Sequence, residues 1–244
     1  MMTVCANVMA QDASPTEKNG ATPPDPIAER LERDLERLNA TISDEPSRYH
    51  HERAEVFFRL SRFEESIRDY DAAVQFGWPH DDNSCWERGL AQYYAGKYRE
   101  GAEQFARYHR VGALDIENGL WRLLCLAEGE GIPKARETMF DYPRKVREPF
   151  PALLNLYLDQ GTAAAVIEEA TTGDMSDQER LTRLFNAHYY LGKYYELVGQ
   201  RELALENVRE ALKHRIPHFM YACAEIDAKR LETPPKPGEQ HDES

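Results

Sequence analysis

The sequence predicts an all-α fold in which helical hairpins stack side by side into a solenoid. Three observations lead to this prediction. Apolar residues recur at helical spacing along most of the chain, and no segment shows the apolar-polar alternation of a strand. A pattern of small residues occurs three times, and a short turn lies at the same place in each copy.

Each copy has a small residue, a second small residue twelve positions later, and an apolar or aromatic residue four positions after that. The copies are Ala54, Ser66 and Tyr70; Gly89, Gly101 and Phe105; and Gly192, Ala204 and Val208. The turns fall at Ser61-Arg62, Gly96-Lys97 and Gly199-Gln200. Glycine in a helix costs about 1 kcal/mol relative to alanine, and close helix packing can offset that cost. We therefore expect the small residues where the two antiparallel helices of a hairpin cross.

The spacing of the copies resembles a known repeat. Ala54 and Gly89 lie about one tetratricopeptide repeat (TPR) period of 34 residues apart. The third copy follows the TPR pattern from His188 through Gly192 and Ala204 to Pro217, and the first copy also ends on a proline, Pro79. The sequence therefore predicts a TPR helix-turn-helix solenoid, which is a right-handed superhelix.

The other segments complete the predicted domain, which spans residues 27–231. A first helix carries one apolar stripe, formed by Ile27, Leu31, Leu35 and Leu38. Two degenerate central repeats, GLWRLLCLAEGEGIPKARETM and PFPALLNLYLDQGTAAAVIEEA, predict shortened hairpins, and HFMYACAEIDAKRL predicts a C-terminal capping helix.

The two ends of the chain differ in composition from this domain. Residues 1–26 lack the basic region and the long apolar core of a complete export signal. They are therefore predicted to be either a disordered leader or the back half of an export signal. Residues 232–244 are predicted to be a disordered tail. Cys85, Cys125 and Cys223 lie in apolar helical patterns and are predicted to be small buried hydrophobic residues.

Composition excludes several function classes. The chain of 244 residues has 41% hydrophobic residues and a net charge of −13, which disfavours binding to nucleic acid. No run is apolar enough for a transmembrane span, and no catalytic or cofactor motif occurs. His214 and His218 are four residues apart, but Pro217 breaks the helix that would align them as metal ligands. We therefore predict a protein that is not an enzyme and has no metal or cofactor.

The remaining prediction is recognition of another protein. In a TPR superhelix the first helix of each pair lines a concave groove, and its groove positions can be read from the repeat. The candidate protein-binding residues on these positions are Phe58, Trp86, Leu90, Tyr93, Tyr189 and Lys193. Apolar and aromatic groups of this kind often dominate peptide binding. The alternative is that Trp86 and Tyr93 are covered by the N-terminal helix or by a second subunit.

Four segments extend the resemblance to one family. ERGLAQYYAGKY, LWRLLCLAEGE, LLNLYLDQG and FNAHYYLGKYYELVGQRELALENVREALKHRIPHF occur in the order and spacing of the NlpI-type bacterial envelope TPR lipoproteins. The resemblance covers about residues 45–228. It implies a homodimeric, non-catalytic adaptor, lipid-anchored on the periplasmic side of the outer membrane, that docks cell-wall hydrolases and a tail-specific protease. Met2 and Val4 before Cys5 depart from the lipobox.

A second hypothesis is a cytoplasmic co-chaperone-like TPR module that binds the C-terminal carboxylate of a partner. Such a clamp has a lysine and an asparagine at two groove positions of the first helix. Those positions hold His51 and Glu55 here, and the glutamate would repel a carboxylate. The sequence therefore favours the envelope adaptor over this clamp.

Overall fold

The computed structural model describes residues 25–40, 45–78, 81–142 and 147–233. These residues form twelve α-helices and one short 3-10 turn, without strands. The helices are α1 (Pro26–Ala40), α2 (Pro46–Arg59), α3 (Phe63–Gln75), α4 (Trp86–Tyr94), α5 (Tyr98–Tyr108), α6 (Ile116–Glu130), α7 (Ile132–Glu137), α8 (Phe150–Tyr157), α9 (Ala163–Thr171), α10 (Asp177–Leu197), α11 (Arg201–Leu212) and α12 (Phe219–Glu232). Apart from α7 and α8, consecutive helices pack on one another, so the all-helical class is confirmed and the packing is consistent with a helical repeat.

The turns of the three copies lie where the sequence predicts them. Ser61, Gly96 and Gly199 each follow a helix end and have positive φ angles of 58°, 72° and 76°. At each turn the next amide donates back into the last turn of the helix, as Gln200 N does to Tyr195 O at 2.7 Å. This left-handed helix ending satisfies carbonyls that would otherwise lack a donor and reverses the chain into the next helix.

The small residues lie at the helix crossings, which confirms the prediction made from the repeat. A Cβ atom added to Gly192 would lie 2.6 Å from Val208 Cγ2 and 3.1 Å from the Ala204 carbonyl oxygen. A Cβ added to Gly89 would lie 2.8 Å from the ring of Phe105. These approaches leave no room for a side chain.

Gly192→Ala is expected to destabilise the protein although alanine is the better helix former. The gain of about 1 kcal/mol in helix propensity is smaller than the cost of overpacking against a neighbouring backbone, so we expect a net loss of about 1–2 kcal/mol in the free energy of unfolding. Gly129 in α6 is the matched control, since only Tyr98 Cβ, at 3.9 Å, lies near its Cβ position. Gly129→Ala is expected to be neutral or stabilising. Urea denaturation of both variants checks the pair, and equal effects would contradict the crossing role.

The apolar stripe predicted for the first helix is buried only towards its C-terminal end. Leu35 and Leu38 are buried, whereas Ile27 is 56% exposed. The reason is that only the C-terminal part of α1 buries its apolar face. Its N-terminal end is joined to α12 instead by an ion pair of 2.8 Å between Asp25 and Lys229.

The central hairpins form as shortened units. Pro133 lies in the first turn of α7, where a missing amide hydrogen costs nothing, and the Thr162 hydroxyl caps α9 by accepting from Ala165 N at 3.2 Å. Within the described ranges no helix combines the length and apolar character needed to cross a membrane. Residues 1–24 of the predicted leader, residues 234–244 of the predicted tail, Cys5 and Pro79 lie outside the described residues, whereas Pro26 begins α1 and Glu232 ends α12.

Candidate functional site

The six residues predicted to line a groove lie in the interior. Five of them are buried, and Trp86 is half-buried; the buried five are Phe58, Leu90, Tyr93, Tyr189 and Lys193. Four of them, namely Phe58, Trp86, Tyr189 and Lys193, contact residues of α12. The predicted groove is therefore not an open surface in this structure, and the binding of a partner to these six residues stays a prediction.

The start of α12 is held by aromatic contacts. The Phe219 ring lies 4.7 Å from the ring of Phe58 in α2 and 5.6 Å from that of Trp86 in α4, measured between centroids. His218 stacks parallel to Trp86, and its Nδ1 accepts from Met220 N at 3.4 Å. The cover over Trp86 thus comes from the C-terminal helix of the same chain. This cover differs from the two predicted from the sequence, the N-terminal helix and a second subunit.

Asp227 of α12 is the centre of a buried polar network. Its side chain is fully buried and accepts from the hydroxyls of Tyr94 and Tyr189 at 2.9 and 3.0 Å. Arg230 donates to the other carboxylate oxygen at 2.8 Å. Lys193 Nζ lies 3.4 Å from Asp227 and 2.9 Å from Glu196. Every charge in this network has an opposite partner, as a buried charge requires.

The network determines the pKa values of Lys193 and Glu196. Burial alone would lower the pKa of Lys193, but the carboxylates of Asp227 and Glu196 outweigh burial and hold this pKa well above its ordinary value. Burial would raise the pKa of Glu196, but Lys193 and Arg230 lower it to about 2. Both groups are therefore charged at neutral pH, and the ion pairs join α10 to α12.

An open cleft lies beside the covered surface. It has a volume of about 550 Å³ and lies between the loop after α5, the start of α6 and the start of α12. We call it the side cleft; the lining residues that matter below are Trp86, Leu114, Glu117, Asn118, Arg147 and His218. Trp86 thus belongs both to the predicted groove and to the side cleft.

The floor of the side cleft is polar and fixed by hydrogen bonds. Glu117 accepts from the Tyr190 hydroxyl at 2.7 Å and pairs with Arg147. The Tyr190 hydroxyl in turn accepts from Trp121 Nε1 at 2.9 Å. This chain of bonds holds the Glu117 carboxylate at the start of α6, where it pairs with Arg147.

One acceptor on this floor has no partner among the described residues. Asn118 is only 9% exposed, and its Nδ2 donates to Asp115 Oδ2 at 2.9 Å. Its Oδ1 atom is buried without a hydrogen-bond partner among the residues described. A buried acceptor of this kind costs about 1–3 kcal/mol when it is left unsatisfied.

The rim of the side cleft is apolar. Leu114 is 63% exposed and Val111 is 50% exposed, both on the loop before α6. Trp86 adds a half-buried aromatic ring to the lining. An apolar rim around a few fixed polar groups is the usual composition of a ligand or peptide site. Sequence analysis missed this cleft because no repeat pattern includes the loop residues.

The three described cysteines are buried and free, which confirms their prediction as small buried hydrophobic residues. Burial raises the pKa of Cys85 to about 12 and also raises the pKa values of Cys125 and Cys223. These thiols therefore stay protonated at neutral pH, and the thiolate is the nucleophilic form.

The two positions of the co-chaperone clamp do not present a cation in a groove. His51 packs between the rings of Tyr70 and Trp78, with centroid distances of 5.6 and 5.1 Å. Burial raises the pKa of Glu55, which follows on the same helix. No feature of these residues favours a carboxylate ligand.

Three potential metal ligands come together elsewhere, among the residues that the structure describes. They are His188, Glu210 and His214. The sequence analysis paired His214 with His218 and predicted no metal site, whereas the structure places His214 beside a histidine of the preceding helix.

Comparison with known proteins gives no family assignment. No protein-family model matches this chain, and no curated protein matches it significantly. The resemblance to the NlpI-type lipoproteins is therefore still a prediction.

Proposed function

We propose that the chain is a non-catalytic TPR-like adaptor that binds a partner protein through the side cleft. The observation that carries the proposal is the exposed apolar rim at Leu114 beside a recess of about 550 Å³. The predicted groove surface is covered by α12, so the side cleft is the recessed apolar surface that a partner can reach without moving a helix.

The chemistry of the cleft selects the kind of partner segment. Its lining includes Leu114 and Trp86, which favour an apolar side chain of the partner. Glu117 is already paired with Arg147 and is not free to bind a cation of the partner. A short peptide segment with one large apolar anchor fits these features.

The cellular setting follows from the family resemblance. It supports an exported, lipid-anchored adaptor of the bacterial envelope that brings cell-wall hydrolases and a tail-specific protease together. It also supports a homodimer, for which light scattering at micromolar concentration should give twice the monomer mass. A monomeric mass would contradict the dimer, and recovery of cytosolic chaperones alone from native extracts would contradict the envelope setting.

Leu114→Asp is expected to weaken partner binding at least ~10-fold, because it places a charge on the apolar rim where an anchor residue binds. Leu203→Asp is the matched control, since Leu203 is also an exposed leucine but lies on α11, away from the cleft. Immobilised wild type and both variants would be used to recover partners from envelope extract, with quantification by mass spectrometry. Equal recovery by wild type and Leu114→Asp would contradict the cleft as the binding site.

A further inference from the structure

His188, Glu210 and His214 form a compact group on the last helical hairpin. His188 lies in α10, Glu210 lies in α11, and His214 follows the end of α11. One ligand atom from each residue lies within 4.8 Å of the other two, and all three side chains are partly buried. The two imidazole rings stack with centroids 6.1 Å apart. The group is independent of the side cleft.

The His188 ring has a fixed orientation of the kind found in metal sites. Asn207 Nδ2 donates to the Leu203 carbonyl at 2.9 Å, which turns its Oδ1 atom towards His188. His188 Nδ1 lies 3.2 Å from that oxygen and therefore donates to it. The proton on Nδ1 leaves the lone pair on Nε2 for a metal. Ligating histidines almost always have such a second partner on the other ring nitrogen.

The carboxylate has a free ligand position as well. Lys213 binds Glu210 through one oxygen, Oε2, and a carboxylate has a second oxygen. In a tetrahedral site with metal–nitrogen bonds of 2.0–2.1 Å the ligand atoms are about 3.3 Å apart. The three side chains thus need to close by about 1.5 Å at most, which rotation about side-chain bonds provides.

We propose that His188, Glu210 and His214 bind one divalent transition metal ion, with Zn²⁺ as the best-suited ion and a fourth position open to water. Two imidazoles and one carboxylate are a donor set that zinc accepts, and three protein ligands leave one coordination position free. The ion would tie α10 to the end of α11 and stabilise the last hairpin.

Isothermal titration calorimetry with Zn²⁺ tests this site. The protein used is tag-free and is first stripped of metal with a chelator. The wild type is expected to bind one equivalent of Zn²⁺ at this site and to unfold at a higher temperature in its presence. His188→Gln, Glu210→Gln and His214→Asn should each weaken this binding by ~100-fold or more, and Asn207→Ala by ~10–100-fold. Circular dichroism verifies that each variant is folded, and Glu210→Gln preserves the shape of its side chain.

Two matched controls keep the test specific. Glu206→Gln changes an exposed glutamate on the same helix, and His218→Asn replaces a histidine that caps α12 with another good capping residue. Both variants should bind Zn²⁺ with an affinity within about two-fold of wild type, because neither residue is a ligand or a hydrogen-bond partner of a ligand. Absence of zinc binding at 100 μM, or equal binding by Glu210→Gln and wild type, would overturn the proposal.

Discussion

Lys193→Met is expected to lower the free energy of unfolding by ~3–5 kcal/mol. The substitution keeps the aliphatic length of the side chain but removes the charge that pairs with Asp227 and Glu196. Asp227 is fully buried and would lose one of its two cationic partners. Most of the cost comes from leaving a buried carboxylate undercompensated, and chemical denaturation monitored by circular dichroism measures it.

A second substitution separates the ion network from simple packing. In Lys193→Met combined with Asp227→Asn, the uncompensated charge is gone, so the double variant should lose less stability than the two single variants together. Lys134→Met is the control, because Lys134 forms an exposed pair with Glu137 and should leave stability nearly unchanged. A loss below 1 kcal/mol for Lys193→Met would show that α12 does not depend on this network.

Phe58→Ala is expected to destabilise the protein by ~3–5 kcal/mol, since the ring is fully buried against Phe219. The sequence alone predicts a different result, because a ring in an open groove would affect partner binding and leave stability nearly unchanged. The same substitution at Phe76, whose side chain is 56% exposed, is the control and should cost far less. Thermal and denaturant unfolding of both variants measures the difference.

Limited proteolysis adds a local measurement to this prediction. Loss of the Phe58 ring removes one of the ring contacts that hold Phe219. The segment before α12 should therefore open more often, and the protease should cut it faster in Phe58→Ala than in Phe76→Ala. If Phe58→Ala unfolds at the same denaturant concentration as wild type, the ring is not part of a closed interior and the open groove becomes the better description.

The sequence predicts the hairpins well because their signals are local. Gly192 is a glycine because two helices cross there, and Gly199 is a glycine because the turn needs a left-handed backbone conformation. Both requirements can be read from the spacing of residues in the sequence. The short central hairpins are readable for the same reason, since Pro133 and Thr162 mark helix starts.

The packing of α12 is not readable in this way. Its key residues, Phe219 and Asp227, contact helices that lie far away along the chain. The apolar spacing of α12 is equally compatible with a helix that caps the end of the stack, so spacing alone does not show where α12 packs. The repeat assigns Phe58 and Lys193 to a concave surface, but it does not say whether another segment of the chain covers that surface. Phe58 and Lys193 are therefore buried by a distant segment of the chain, although the helices that carry them form where the sequence predicts.

The side cleft shows a second limit. Leu114 lies in a loop that belongs to no repeat position, and Asn118 becomes notable only because the structure leaves its Oδ1 atom buried without a partner among the described residues. Neither fact has a signature in spacing or composition.

Site-specific photo-crosslinking tests the proposed adaptor function most directly. A photoreactive amino acid would be placed at Leu114 on the rim of the side cleft and, in a second protein, at the exposed control position Leu203. In native cells the adaptor should crosslink to partner proteins from position 114, and these adducts should be absent from position 203. No adduct from position 114, or the same adducts from both positions, would contradict binding through the side cleft.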